Sequence, residues 1–149
     1  MKAIQFVTII LLSAYVFSAC SSSSGFEKVP EESVNKQDKT FAQQFANDYL
    51  NAAKSGTCYE FTNEGTDTLM KSLTKENQQK AYDYVKNEFG EFQSLEYAET
   101  WEQKSEGLTI YRFKGAFDKS EKKLEVRVVL DEAKKIAGFW IKPWRDDTL

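Results

Sequence analysis

Helical patterning precedes strand patterning in this chain, which predicts an α+β domain: N-terminal helices packed on one face of a curved, mainly four-stranded antiparallel sheet. Three observations carry the prediction. Apolar residues recur every three to four positions between Phe41 and Phe89, and from Phe92 onward the period drops to two. Between Leu108 and Trp144 three segments of strand character, LTIYRFKGAF, KKLEVRVVL and KIAGFWIKPW, are joined by the short polar loops DKSE and DEAK.

Asp38 or Thr40 is expected to cap a helix that begins near Phe41. Phe41, Phe45 and Tyr49, flanked by Ala42, Ala46, Leu50 and Ala53, form its apolar stripe, and Gly56 ends it. Thr57 to Thr66 lacks periodicity, although the alternation of Tyr59 and Phe61 allows a short edge strand or a turn. Thr66 or Asp67 opens a short helix over Leu69, Met70 and Leu73. Thr74 caps the next helix, which carries Ala81, Tyr82, Val85 and Phe89 on its expected buried face and closes at Gly90.

In the first long strand Leu95, Tyr97 and Trp101 fall on one side, with Glu96, Ala98 and Thr100 on the other. With Asp118–Glu121 as the following turn, Phe117 pairs with Lys122, Phe113 with Val126 and Tyr111 with Val128. The same register sets Arg112 against Arg127 and Lys114 against Glu125, so the apolar row faces the core and the charged row faces solvent. The Arg112–Arg127 pair is unfavourable unless Glu125 or another acid lies between them. The last strand is apolar on both faces through Ile136, Ala137, Phe139, Trp140 and Ile141, so it is expected to be either central in the sheet or covered on its second face. Gly138 within it marks a bulge or a close approach.

The start of the chain is a targeting segment. Met1-Lys2 precedes an apolar run that ends at Cys20 and reads as a bacterial secretory signal rather than a spanning helix. The sequence Phe17-Ser18-Ala19-Cys20 resembles the lipobox of bacterial lipoproteins, with Phe17 where that family usually has Leu. The resemblance implies a leader cut before Cys20, a diacylglycerol on its thiol and an acylated new amino terminus. An ordinary cleaved signal with a coincidental cysteine is the competing reading. The expected organisation is a signal peptide over 1–19, a lipidated flexible tether over 20–39, the folded domain over 40–144 and a tail over 145–149. A lipid at Cys20 makes the membrane the first partner, and Ser21 in place of Asp favours the outer membrane of a diderm host.

Composition excludes several activities. The 149 residues contain no histidine, which removes Ser-His-Asp and Cys-His catalysis and the common His-containing zinc sites. With Cys20 lipidated, Cys58 is alone, so no intramolecular disulfide forms. A net charge of −3, from 20 basic and 23 acidic side chains, argues against a nucleic-acid partner. No phosphate loop, metal-ligand cluster or nucleotide fingerprint stands in the chain, and no cofactor, metal or catalytic residue is nominated.

The segments FANDYLNAAKSGTCYEF, NEFGEFQSL and LEVRVVLDEAKKIAGFWIKP are similar to a small bacterial domain of unknown function found in secreted proteins, sometimes ahead of α/β-hydrolase domains. The likeness covers roughly residues 40 to 143, and around Lys134 a non-glycine residue replaces the usual glycine of an acidic turn. This resemblance implies a nuclear-transport-factor-2-like (cystatin-like) cone and carries no catalytic residues. In such a cone Tyr49, Tyr82, Tyr97, Trp101, Tyr111, Phe113 and Phe139 are the candidates to line a pocket for a small apolar ligand; otherwise they fill the core. The leading expectation is a non-enzymatic binding or accessory lipoprotein of the bacterial envelope. One alternative is an enzyme that uses a pocket carboxylate and a Tyr, as relatives of the cone do, although no Asp or Glu interrupts an apolar strand row here. Another is a protein-interaction module presenting Trp140 and Ile136 on the convex face to an envelope protein.

Overall fold

The structure is a computed structural model that describes residues 25–146. The expected signal peptide, Cys20 and the final residues of the tail lie outside the described residues.

Helix α1 spans Lys36–Lys54, and its cap is Asn35, whose side-chain oxygen accepts from the N–H groups of Gln37 (2.9 Å) and Asp38 (3.1 Å). The helix thus begins ahead of the expected Asp38 or Thr40, because its first turn, Lys36 to Lys39, is polar throughout and leaves no apolar period to read. Ala42, Phe45, Ala46, Tyr49, Leu50 and Ala53 are buried along one stripe. At its end Gly56, in the left-handed region, and Thr57 donate back to Ala53 and Ala52, the pairing of a Schellman cap.

Helix α2 (Asp67–Ser72) and helix α3 (Lys75–Phe89) take the expected caps, Thr66 and Thr74. On α3 the buried residues are Gln78, Tyr82 and Val85, whereas Ala81 is exposed and Phe89 half-buried. Gln78 displaces the expected apolar pattern because a segment without secondary structure needs its amide. Its Oε1 accepts from the Tyr59 N–H (2.9 Å), and its Nε2 donates to the carbonyls of Tyr59 (3.0 Å) and Leu73 (2.9 Å). That pairing satisfies the backbone around Tyr59, which forms neither strand nor helix.

The sheet has five antiparallel strands, not four, in the order β1-β2-β3-β4-β5. They are β1 (Glu27–Val29), β2 (Phe92–Gln103), β3 (Leu108–Phe117), β4 (Ser120–Leu130) and β5 (Ile136–Pro143). The extra strand comes from the stretch expected as tether: Glu27, Lys28 and Val29 pair with Glu102, Trp101 and Thr100. Three residues are too few to show a period of two. Helix α1 lies across β2, β3 and β4, α2 contacts β5, and α3 contacts α1.

The β3–β4 register is the expected one from Tyr111↔Val128 to Lys114↔Glu125. Only the turn differs: Phe117 pairs with Ser120 across a two-residue Asp118–Lys119 turn, and an irregularity after Gly115 absorbs the shift. Of the three register shifts elsewhere, those at Ala98 and Ala137 reassign the side chains that matter for the site. In β2, Tyr97 pairs with Phe113 and Glu99 with Arg112, leaving Ala98 in excess. Beyond it Thr100 joins the core face, and Trp101 moves to the face opposite Tyr97, contrary to the unbroken alternation read from the sequence. In β5, Val129 pairs with Gly138 and Leu130 with Ile136, leaving Ala137 in excess. Ile136 and Phe139 thereby both face α1, while Trp140 faces outward. The acidic turn between β4 and β5 holds Lys134 at φ 62°, a left-handed conformation at the place where the family resemblance expects glycine.

Candidate functional site

On the helix side of the sheet the aromatic residues form a packed cluster. The rings of Tyr49 and Phe139 are 4.6 Å apart, those of Phe45 and Tyr59 5.2 Å, and those of Tyr97 and Phe113 6.1 Å. Of the seven sequence-predicted pocket residues, Tyr49, Tyr82, Tyr111 and Phe113 are buried, and Tyr97, Trp101 and Phe139 half-buried. The fold brings Tyr49 to Phe139 and Tyr97 to Phe113, leaves Tyr82 on α3, and sends Trp101 to the other face. Burial, with the Cys58 charge adding to it, pushes the Tyr49 phenol up to about 12, and burial likewise raises Tyr111. Such phenols stay protonated near neutrality and serve as packing groups.

A cleft of about 290 Å³ opens between α1 and the segment after Tyr59, lined by Phe41, Phe45, Asp48, Tyr59 and Glu64 among others. It holds a tyrosine–carboxylate pair: the Tyr59 hydroxyl donates to Glu64 Oε1 at 2.8 Å. The other oxygen of Glu64 accepts from the Thr62 hydroxyl (2.7 Å) and the N–H groups of Thr62 (3.0 Å) and Asn63 (2.9 Å). Burial raises the Glu64 carboxyl, but these hydrogen bonds outweigh it and hold the group at about 2. A carboxylate held so firmly as an anion is a poor proton acceptor, and three of its four bonds, those from Thr62 and Asn63, close the Thr62–Glu64 bend. Sequence reasoning missed this pair, because it lies in the one stretch without periodicity.

The opposite, outward face of the sheet carries a chain of charges. The Lys28 ammonium meets Glu99 at 2.6 Å, Glu99 meets Arg112, Arg112 meets Glu125 at 2.9 Å, and Glu125 meets Arg127 at 2.6 Å and Lys142 at 3.8 Å. Arg112 and Glu125 are completely buried, although the alternation assigned them to solvent. The cover is the tail. The Arg112 guanidinium carbon lies 4.4 Å from the centre of the Trp144 ring, and its Nη2 donates to the Arg145 carbonyl at 2.8 Å. Arg145, the first residue of the expected tail, thus takes part in the cover through its carbonyl. The like-charged Arg112 and Arg127 stand opposite each other because Glu125 bridges them. Arg112 Nε and Arg127 Nη2 are buried without a hydrogen-bond partner. Burial lowers the Lys142 ammonium; Glu125 opposes that shift, while Arg127, Arg112 and Arg145 reinforce it.

Beside this network Trp140 is 52% exposed. The outer rim of its indole lies over Gly138, where an added Cβ would sit 2.1 Å from the ring. Ile136, the other candidate for an exposed patch, is fully buried: the Ala137 bulge turns it to the core face. Among the described residues no group of three or more acidic or cysteine side chains gathers to hold a metal ion, and no helix is long and apolar enough to cross a membrane.

A family model described as a protein of unknown function, DUF3887, matches residues 42–139. The chain belongs to that family. Its DUF3887 span runs from Ala42 in α1 to Phe139 in β5, and so contains the aromatic cluster, the Tyr59–Glu64 pair and the Glu99–Arg112–Glu125–Arg127 network. Lys28, Trp140, Lys142 and Trp144, which border that network, lie beyond the DUF3887 match. No curated protein and no solved structure matches the chain.

Proposed function

We propose that this DUF3887 chain is a membrane-anchored, non-enzymatic binding or accessory lipoprotein of the bacterial envelope. The observation that carries the reading is the apolar leader ending in Ser18-Ala19-Cys20, followed by a serine-rich stretch that leads directly into an ordered edge strand at Glu27. The layout of helices on one face of an antiparallel sheet is compatible with the nuclear-transport-factor-2-like (cystatin-like) cone that the family resemblance implies. Several acyl chains on Cys20 make such an anchor effectively permanent, since each buried CH2 contributes about 0.8 kcal/mol. A binding role is favoured over catalysis because five of the seven candidate rings, Tyr49, Tyr97, Tyr111, Phe113 and Phe139, are taken up by the core cluster and Glu64 is held as an anion.

Labelling with a clickable fatty acid tests the anchor. The wild type takes the label and Cys20→Ala does not; equal labelling of both overturns the reading.

A second reading, an enzyme that uses a carboxylate and a tyrosine, has one observation on its side, the Tyr59–Glu64 pair at the mouth of the 290 Å³ cleft. It requires Glu64 to accept a proton near neutrality, which the low carboxyl value opposes.

A further inference from the structure

We infer that the outward face of the sheet around Trp140 seats against an anionic phospholipid surface, that of the membrane in which the chain is anchored. The inference rests on the lipid anchor of the proposed function.

Charge supports it first. In the outward network two carboxylates, Glu99 and Glu125, serve four cations, Lys28, Arg112, Arg127 and Lys142, in a chain whose net charge is −3. Lys114 adds a further cation beside them, over the Trp144 ring at 4.8 Å and opposite Glu96 and Glu125 in the pairing. With the buried Arg112 and Glu125 cancelling, Lys28, Lys114, Arg127 and Lys142 stand against Glu96 and Glu99, an excess of cations on one face of an acidic protein that complements a phosphate-bearing surface.

Shape supports it next. Trp140, about half exposed, leans the outer rim of its ring over Gly138, on the strand face that also carries Arg127, its partner in the β4–β5 pairing, and Lys142. An indole among Lys and Arg side chains is the composition that settles at a bilayer's headgroup level.

Reach supports it last. Cys20 stands seven residues before Glu27, so a fully extended link spans at most about 25 Å. The link enters on β1, the edge strand whose Lys28 lies 6.0 Å from the Trp101 ring on this same outward face. A domain held that close meets the headgroups with whichever face turns toward them, and the basic, tryptophan-bearing face gains most by doing so.

The full lipidated chain, reconstituted into vesicles, tests the inference. Vesicles of phosphatidylcholine alone are compared with vesicles in which half the lipid is brominated phosphatidylglycerol, and quenching of tryptophan emission is read at low and high salt. Quenching is expected only with the anionic vesicles, weakened by salt, and Trp140→Phe is expected to remove more than half of it. Lys28→Gln with Lys142→Gln is expected to lower the ratio of docked to undocked domain about fivefold per cation. Circular dichroism and thermal midpoints establish that each variant is folded. Quenching indifferent to phosphatidylglycerol, or unchanged in folded Trp140→Phe, overturns the inference; so does crosslinking from position 140 in cells that yields one envelope protein and no lipid. Fatty-acid labelling of the same preparation separates the two readings. A labelled chain without Trp140-dependent quenching retains its anchor and loses the docking face. An unlabelled chain that still shows such quenching in vesicle suspension retains the face and loses the anchor.

Discussion

Arg112 lies beneath Trp144, its guanidinium carbon 4.4 Å from the centre of that ring, and the contact closes the outward face of the sheet over a fully buried ion pair. The fold therefore has two interiors. One is the apolar side under α1, and the other is a thin charged layer between the strands and the C-terminal residues.

A charged layer of this kind is sensitive to the loss of one member. Glu125→Ala leaves Arg112, Arg127 and Lys142 facing one another without their shared carboxylate. It should cost about 3–5 kcal/mol in urea unfolding, because it strands buried charge. Arg112→Met with Glu125→Leu should cost much less than the sum of the single changes. A strictly additive double-mutant cycle would contradict the role given to Glu125.

Trp144→Ala should expose the Arg112 guanidinium while leaving the strands paired. The expected loss is about 1–2 kcal/mol, the range of a partly desolvated cation–aromatic contact, with faster amide hydrogen exchange near Arg145. An unchanged thermal midpoint would place Trp144 off the sheet in solution.

Two glycines should respond differently to alanine. At Gly138 the obstacle is the outer rim of the Trp140 ring, an exposed side chain that can swing away. Gly138→Ala should cost only about 1 kcal/mol, and the Trp140 emission should shift. At Gly90 an added Cβ would stand 1.9 Å from the Asp118 carboxylate and 2.6 Å from the Lys119 backbone nitrogen, at φ 89° and ψ −166°. That conformation belongs almost solely to glycine, so Gly90→Ala should cost about 3 kcal/mol or more. Equal costs at the two sites, read by urea midpoints, would refute this assignment.

Glu64 makes stability depend on acid. Its folded carboxyl value of about 2 lies below the ordinary 4.5, so its contribution is fully present above pH 4.5 and is lost as pH falls toward 2. Glu64→Gln should be less stable than the wild type by about 1–2 kcal/mol at neutrality, allowing for solvent screening. The gap should close between about pH 4.5 and 2. Urea midpoints across that range measure it, and a gap independent of pH would show that the charge on Glu64 contributes nothing.

Much of the fold was legible because it depends on local periodicity. The 3.6-residue stripes of α1 and α3, the caps at Thr66 and Thr74, and the coincidence of apolar rows that set Phe113 against Val126 all stand in the chain order. β1 was not legible, since three polar or mixed residues become a strand only when β2 offers an edge. Nor was the Tyr59–Glu64 pair, which depends on a bend and on Gln78 reaching back to hold it.

The same division holds for the candidate surface. The sequence by itself determined that Trp140 is apolar where alternation calls for a polar residue and that Arg112 and Arg127 are opposed. Only the tertiary structure decided which of these positions face water. A bulge at Ala137 turned Ile136 inward, a bulge at Ala98 turned Trp101 outward, and Trp144 closed over Arg112. The physical reason is that a bulge inverts every side chain beyond it at the cost of one residue, and a covering tail acts through space between residues distant in the chain. Neither leaves a period in the sequence.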